Sequence, residues 1–291
     1  MTSGPEKVVW ALALLATISA EAAGVDGSKD ADGYKVVRIE HRGDGVTFYL
    51  VRSPFQKGET LIRVALPRPA PAVGLRRVLF ILPVEPREGT RWGDGFQAAM
   101  RLKVRERLRL ALVAPSFSDW PWYADHPRRP ELRQESYFLR AVVPLVQTIY
   151  PHEPEGRLLV GFSKSGWGAW SLLLRHPEQF AAACAWDAPL MMTRPAFGMA
   201  AICGTQQNFA NYQVAPLLRQ KASILRKGKR LVLLGYGNFR NDTVGAHRLL
   251  ERLGVPHVYA DGPHRAHRWD GGWLKEAIEA LDELSAPGGH P

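Results

Sequence analysis

The stretch GFSKSGWGAW, Gly161 to Trp170, follows a short apolar run, RLLV at Arg157 to Val160, and leads into an apolar helix-forming segment. A serine at a sharp strand-to-helix turn is held out of the sheet, where a substrate can reach its hydroxyl. The turn demands small neighbours, because its backbone is strained and the helix passes close to the strand. Sterics rank the two serines. With Ser163 as nucleophile, the residues two before and two after are Gly161 and Ser165, both small; with Ser165 they are Ser163 and Trp167, and an indole does not fit there. Ser163 is therefore the candidate nucleophile. The pattern departs from G-x-S-x-G at Ser165, and short Gly/Ser turns also occur without chemistry, so the serine needs partners.

A serine hydroxyl is a weak nucleophile until a positioned base takes its proton, and a carboxylate usually orients that base. In a fold whose serine ends a strand and opens a helix, the acid follows a later strand and the histidine follows the last one. Of the nine histidines, only His264 and His267 lie between the last apolar run and the last helical segment, in DGPHRAHRWDGGW. His267 has more chain with which to fold back over Ser163, and Trp269 and Trp273 can pack its loop. It is favoured over His264. For the acid, Asp242 in GNFRNDT follows the run RLVLLGYG, although it would also serve as a helix N-cap. The rival acid is Asp187 in AWDAPLMM, one strand earlier.

An oxyanion hole needs two backbone N–H donors. The amide of Lys164, just after the serine, is the expected first donor, and that of Val84 or Glu85, after RVLFILPV, the second. The loop PVEPREGTRWGDG lacks a glycine triplet that would mark the position, and the Lys164 side chain is given no catalytic role. The aromatic run FSDWPWYADHP places Trp120, Trp122 and Tyr123 where they could contact a sugar ring or an aromatic acyl group; packing of a long loop is the competing explanation.

The elements that must position these residues follow from apolar rhythm. Three β-like runs begin at Tyr34, Val46 and Glu59, the first two separated by Gly43-Asp44-Gly45, which reads as an antiparallel hairpin. From Arg76 onward, near-continuous apolar runs at Arg77–Val84, Leu110–Phe117, Arg157–Ser163, Ala181–Ala188, Arg230–Gly237 and Pro256–Pro263 alternate with helical stretches near Gly95–Leu108, Glu135–Gln147, Gly166–Leu174, Thr243–Leu253 and Gly272–Leu284. Such alternation predicts a parallel sheet covered on both faces. The segment 189–229 has no clear strand and reads either as a cap over the site or as a peripheral helix pair. The tail after Leu284 reads as disordered.

Composition narrows the class. With 46% hydrophobic and 23% charged residues over 291, the chain has ample material for a core. A net charge of +10 raises the question of nucleic acid, but the arginines are scattered, and RLKVRERLRL at Arg101–Leu110 alternates with apolar residues like a solvated helix face. No nucleic-acid partner is expected. Lys7 precedes the apolar run Val8–Ala20, and Ala20-Glu21-Ala22 forms an A-x-A-like cleavage site, so residues 1–22 read as a secretory signal peptide and the protein as exported, periplasmic or secreted. A buried first helix is the alternative. The run is short for a bilayer span, so no stable membrane insertion is expected. The two cysteines, Cys184 and Cys203, support neither a disulfide framework nor a cysteine zinc site.

With GFSKSGWGAW, DTVGAHRLLERLGVPH and His267-x-Trp269 in this order, the chain resembles the α/β-hydrolase superfamily, and within it the esterase group related to esterase D and feruloyl esterases. Gly161, Ser163 and Gly166 match that group's nucleophile turn; His267 and Trp269 match its final motif. The resemblance spans about Glu59 to Leu284 and implies an α/β-hydrolase domain over 34–284 with an eight-stranded, mostly parallel sheet. It further implies hydrolysis of a small-molecule or carbohydrate-linked ester with no metal or other cofactor, through Ser163, His267 and an aspartate. A binding protein of the same fold without turnover and a serine peptidase are the alternatives.

Overall fold

The computed structural model describes residues 33–69 and 76–285. The apolar run at Val8–Ala20 and its cleavage-like Ala20-Glu21-Ala22 lie outside them, as do residues 286–291. Among the described residues no helix is long and apolar enough to cross a membrane.

The chain opens with β1 (Lys35–His41), β2 (Val46–Arg52) and β3 (Glu59–Ala65), paired antiparallel in sequence. β1 is largely exposed and carries Lys35, Arg38 and Glu40, charges that blunt a sheet edge against further pairing. β4 (Arg77–Ile81) is followed by α1 (Gly95–Arg101), α2 (Val104–Arg107) and β5 (Leu110–Pro115). The single helix expected over Gly95–Leu108 is broken where Lys103 turns left-handed, at φ 53°. Next, α3 (Gln134–Tyr137) and α4 (Val143–Ile149) are joined by a π-turn at Phe138–Val142. Pro144, in the first turn of α4, lacks the N–H that an unbroken α-helix would use. The serine turn lies between β6 (Arg157–Phe162) and α5 (Ser163–Arg175). After them come β7 (Ala182–Trp186), α6 (Met199–Cys203), α7 (Gln206–Ala210), α8 (Val214–Leu225), β8 (Leu231–Tyr236), α9 (Arg240–Arg252), β9 (Val258–His264) and α10 (Leu274–Ser285).

Among the described residues nine strands form one sheet in the order β1-β2-β3-β5-β4-β6-β7-β8-β9, parallel from β5 to β9. The eight strands implied by the resemblance become nine because β1 pairs along the outer edge of β2. Alternate residues of the central strands feed two cores. Phe80, Leu159, Ala183 and Leu233 face the layer of α3 to α9, whereas Leu79, Ile81, Leu158, Val160 and Cys184 face α1, α2 and α10. β5, β6 and β7 are buried throughout, as strands covered on both faces must be. Trp186 of β7 stacks on Trp273, ring centroids 4.8 Å apart, and so anchors the chain entering α10. Both cysteines are free and buried.

The helices of the 189–229 segment belong to the first core: Met199, Ile202, Phe209 and Leu218 are fully buried there. A polar cluster ties the segment down. Glu135 of α3 accepts two hydrogen bonds from Arg175, at 2.6 and 3.0 Å, and one at 3.1 Å from the Tyr212 hydroxyl, with His176 at 2.7 Å. Burial alone would raise the Glu135 carboxyl, but the bonds from His176 and Arg175 outweigh it and hold its pKa below the usual range. A depressed folded-state pKa gives stability that is present above the unfolded value, about 4.3, and lost as pH falls through the folded one. Glu135→Gln, which leaves Arg175 without its carboxylate, is expected to cost about 3 kcal/mol at pH 7. The difference from wild type should shrink below about pH 4; urea unfolding at the two pH values checks both points.

Candidate active site

Ser163 is the first residue of α5 and sits half-buried at φ 52°, the left-handed conformation of a strained strand-to-helix turn. The need for small neighbours is geometric. A Cβ on Gly161 would lie 2.3 Å from the Ser165 carbonyl oxygen, and one on Gly166 would lie 2.9 Å from the Ala188 Cβ. Ser165, fully buried, donates to the Phe162 carbonyl at 3.0 Å and accepts the Phe162 N–H at 3.1 Å. Its hydroxyl closes the turn from inside and is withdrawn from any substrate.

His267 hangs in the loop between β9 and α10. That loop is pinned by the Arg265 amide on the Tyr236 carbonyl, the Trp269 amide on the Trp92 carbonyl and the Trp273 indole on the Arg268 carbonyl, at 2.8–2.9 Å. The imidazole packs against Phe162, beside the serine, with centroids 5.0 Å apart, and against Trp92 and Phe239 at 5.7 and 5.8 Å. His264 ends β9 instead, exposed and beside Tyr236.

The carboxylate on His267 is that of Asp187, with Oδ2 2.5 Å from Nδ1. Asp187 directly follows β7, is fully buried, and has φ 42°. Its oxygens accept the amides of Asn238 and Phe239 at 2.7 and 2.6 Å. Gly237 makes this possible, since a Cβ there would stand 2.5 Å from Asp187 Oδ2. Burial would raise the Asp187 carboxyl, yet the His267 bond and the amides of Phe239, Asn238 and Gly237 together lower it. It is therefore an ionised acceptor, which places the proton of a neutral His267 on Nδ1 and leaves Nε2 as a lone-pair nitrogen.

Asp242, the acid favoured from chain order, is not that partner. Only residues 237–239 separate β8 from α9, so Asp242 falls in the first helical turn, where its Oδ1 accepts the Met191 amide at 2.7 Å. Burial and the nearby Asp187 charge raise its pKa, with only the Met191 bond opposing them. The aromatic loop also needs correction. Trp122 and Tyr123 are fully buried, their amides both donate to the Gln134 side-chain oxygen, and the Tyr123 hydroxyl donates to the Pro83 carbonyl, so these two rings are core and not substrate contacts. Trp120 alone of the three is exposed, at 43%.

Of the expected amide donors, Lys164 lies in the first turn of α5, where backbone N–H groups have no intrahelical acceptor. Val84 and Glu85 sit in the loop beyond β4, which the Leu82 amide fastens to Val160 of β6. Among the described residues neither of their amides donates a hydrogen bond. Sequence reasoning missed Gly237, Asn238, Phe239 and Trp92, which hold the acid and the imidazole. Gly237, at the end of an apolar run, was the one visible signal.

Residues 115–242 match the family model described as "Putative esterase". No curated protein matches the chain by sequence. Among solved structures it is similar to a ferulic acid esterase (18% identity, TM-score 0.64, 82% of this chain and 96% of that one). It is also similar to an S-formylglutathione hydrolase from Agrobacterium tumefaciens (14%, 0.66, 86% and 99%) and to the substrate-bound fluorophosphonate-binding serine hydrolase F of Staphylococcus aureus (19%, 0.66, 83% and 98%). At these identities the structural likeness speaks to the fold. Sheet order, strand-turn-helix and these structural likenesses give the chain the α/β-hydrolase fold, and over residues 115–242 its sequence is similar to the esterase family.

Proposed function

We propose that the protein hydrolyses a carboxylic ester of a small molecule or a carbohydrate through an acyl-enzyme on Ser163, with His267 as base and Asp187 as its orienting carboxylate. The observation that carries this reading is the His267–Asp187 pair, braced by backbone amides and packed against the residue preceding Ser163. His267 Nε2 takes the Ser163 proton as Oγ bonds to the ester carbonyl carbon, and the charge that develops on the carbonyl oxygen is met by the amides of Lys164 and of Val84 or Glu85. Collapse breaks the ester C–O bond, and the leaving alcohol takes the proton from His267. Water then gives a proton to Nε2 and attacks the acyl carbon, releasing the acid and restoring Ser163. Asp187 stabilises the imidazolium at both stages.

The relative named for fluorophosphonate binding suggests the test. A fluorophosphonate should label the protein at neutral pH with the adduct on Ser163, located by peptide mass spectrometry. An unlabelled protein would favour a binding protein of this fold, and an adduct on another residue would displace the assignment.

A further inference from the structure

Lys164 is set where its own helix disfavours it. The N-terminus of an α-helix carries partial positive charge and stabilises anions, yet the second residue of the 13-residue α5 is a cation. Other buried or partly buried cations are met by oxygens or nitrogens that accept from them: Arg63, Arg105, Arg175 and Arg265 by the carboxylates of Asp94, Glu106, Glu135 and Glu276, Arg157 by the side chains of His152, Gln179 and Gln147, and Arg230 by backbone carbonyls. Among the described residues Lys164 has no such ion pair. Its ammonium rests on the face of exposed Trp120, 3.9 Å from the ring centroid. Burial lowers its pKa, with Glu85 opposing, and the Glu85 carboxylate is itself engaged by the Trp92 amide at 3.1 Å. An ammonium that is half out of water and has no carboxylate in direct contact gains from an anion brought to it.

The opposite side of the serine has a different character. Trp120 follows β5, on the β4–β5 side of Ser163 in the sheet order, whereas the loops after β7 and β8 lie on the other side. Those loops form a groove in which Met191, Met192, Phe197 and Phe239 make an apolar wall and Arg194, Asn241 and Asp242 add polar lining, with Phe197 62% exposed and edge-on to Phe239. One side of the serine thus carries a lysine on an indole, and the other a groove with an apolar wall whose Phe239 ring packs against His267.

We propose that Lys164, seated on Trp120, is a specificity-determining residue that binds a carboxylate carried by the ester substrate, whose apolar portion lies in the groove of Met191, Met192, Phe197 and Phe239. The proposal rests on Ser163 being the reacting residue and names the class of substrate that would reach it. The carboxylate can belong to the acyl or to the alcohol part, and matched esters separate the two.

The acyl arm compares mono-4-nitrophenyl glutarate with 4-nitrophenyl valerate; the alcohol arm compares 3-carboxyphenyl butyrate with phenyl butyrate. The readout is the ratio of kcat/KM for the charged ester to that for its neutral partner, so any general effect of a variant on the rate cancels. Lys164→Met should lower the ratio about 10- to 100-fold in one arm, the range expected for loss of a charge-assisted hydrogen bond. Lys164→Arg should keep most of it, and Trp120→Leu should give a smaller fall. Ratios unmoved by Lys164→Met in both arms would overturn the proposal while leaving Ser163-dependent turnover, and with it the esterase reading, intact. Should turnover prove not to depend on Ser163, binding of monomethyl glutarate to Ser163→Ala, with and without Lys164→Met, decides the point: equal dissociation constants reject the proposal, and about 10-fold weaker binding supports it.

Discussion

Ser163→Ala is expected to lower kcat for 4-nitrophenyl acetate by about 10⁵- to 10⁶-fold, the scale seen when a serine hydrolase loses its nucleophile. The methyl group cannot form the acyl bond, and the neighbouring serine does not replace it. Ser165, two residues on, is fully buried, with its hydroxyl committed to both backbone groups of Phe162. The fold should be unaffected, because Ala carries the same left-handed penalty at φ 52° that Ser carries. Initial rates with purified variant, alongside a thermal melt within a few degrees of wild type, check both halves. Residual activity above one part in about a hundred would remove Ser163 from the mechanism.

Asp187→Asn should lower kcat by about 10⁴-fold with the imidazole still in place, because an amide does not hold the proton on Nδ1 or stabilise the imidazolium. Asp242→Asn should change kcat less than about 3-fold, since Asn can still accept the Met191 amide. The contrast is the test, and the reverse order of effects would restore Asp242 as the acid. Asp187→Asn will also destabilise the fold, by about 1–3 kcal/mol, because its NH₂ group must face either His267 or the amides of Asn238 and Phe239. Rates should therefore be taken well below the melting temperature of the variant. The depressed Asp187 pKa keeps the carboxylate charged down through the ordinary carboxylate range, so an acid limb above about pH 5 should not come from this group.

Much of the architecture was legible because buried strands leave continuous apolar runs. Each of the nine runs became a strand with ends shifted by only a few residues, and RLLV followed by GFSKSG marked the serine turn. The helical break at Lys103 was hidden by a pattern that stays amphipathic across it. The carboxylate that meets His267 was misplaced for a geometric reason. Chain order permits a carboxylate after β7 or after β8, and the choice is made by a connection so short that Asp242 is already helical while the amides before it turn toward Asp187. Trp122 and Tyr123 were misread because an aromatic loop has the same composition whether it folds into the core or lies over a cleft; the Gln134 oxygen that draws their amides inward is not readable from spacing.

The backbone at Ser163 and at Asp187, ends of neighbouring strands, is left-handed in both cases. Each such residue forfeits about 1 kcal/mol or more relative to a comfortable conformation. A polypeptide selected only for durability would put glycine at 163 and gain from it. Endurance and reactivity therefore compete for the same few torsion angles, and an engineer seeking a hardier variant of this protein should look to the sheet edge and the outer helices before the ends of β6 and β7.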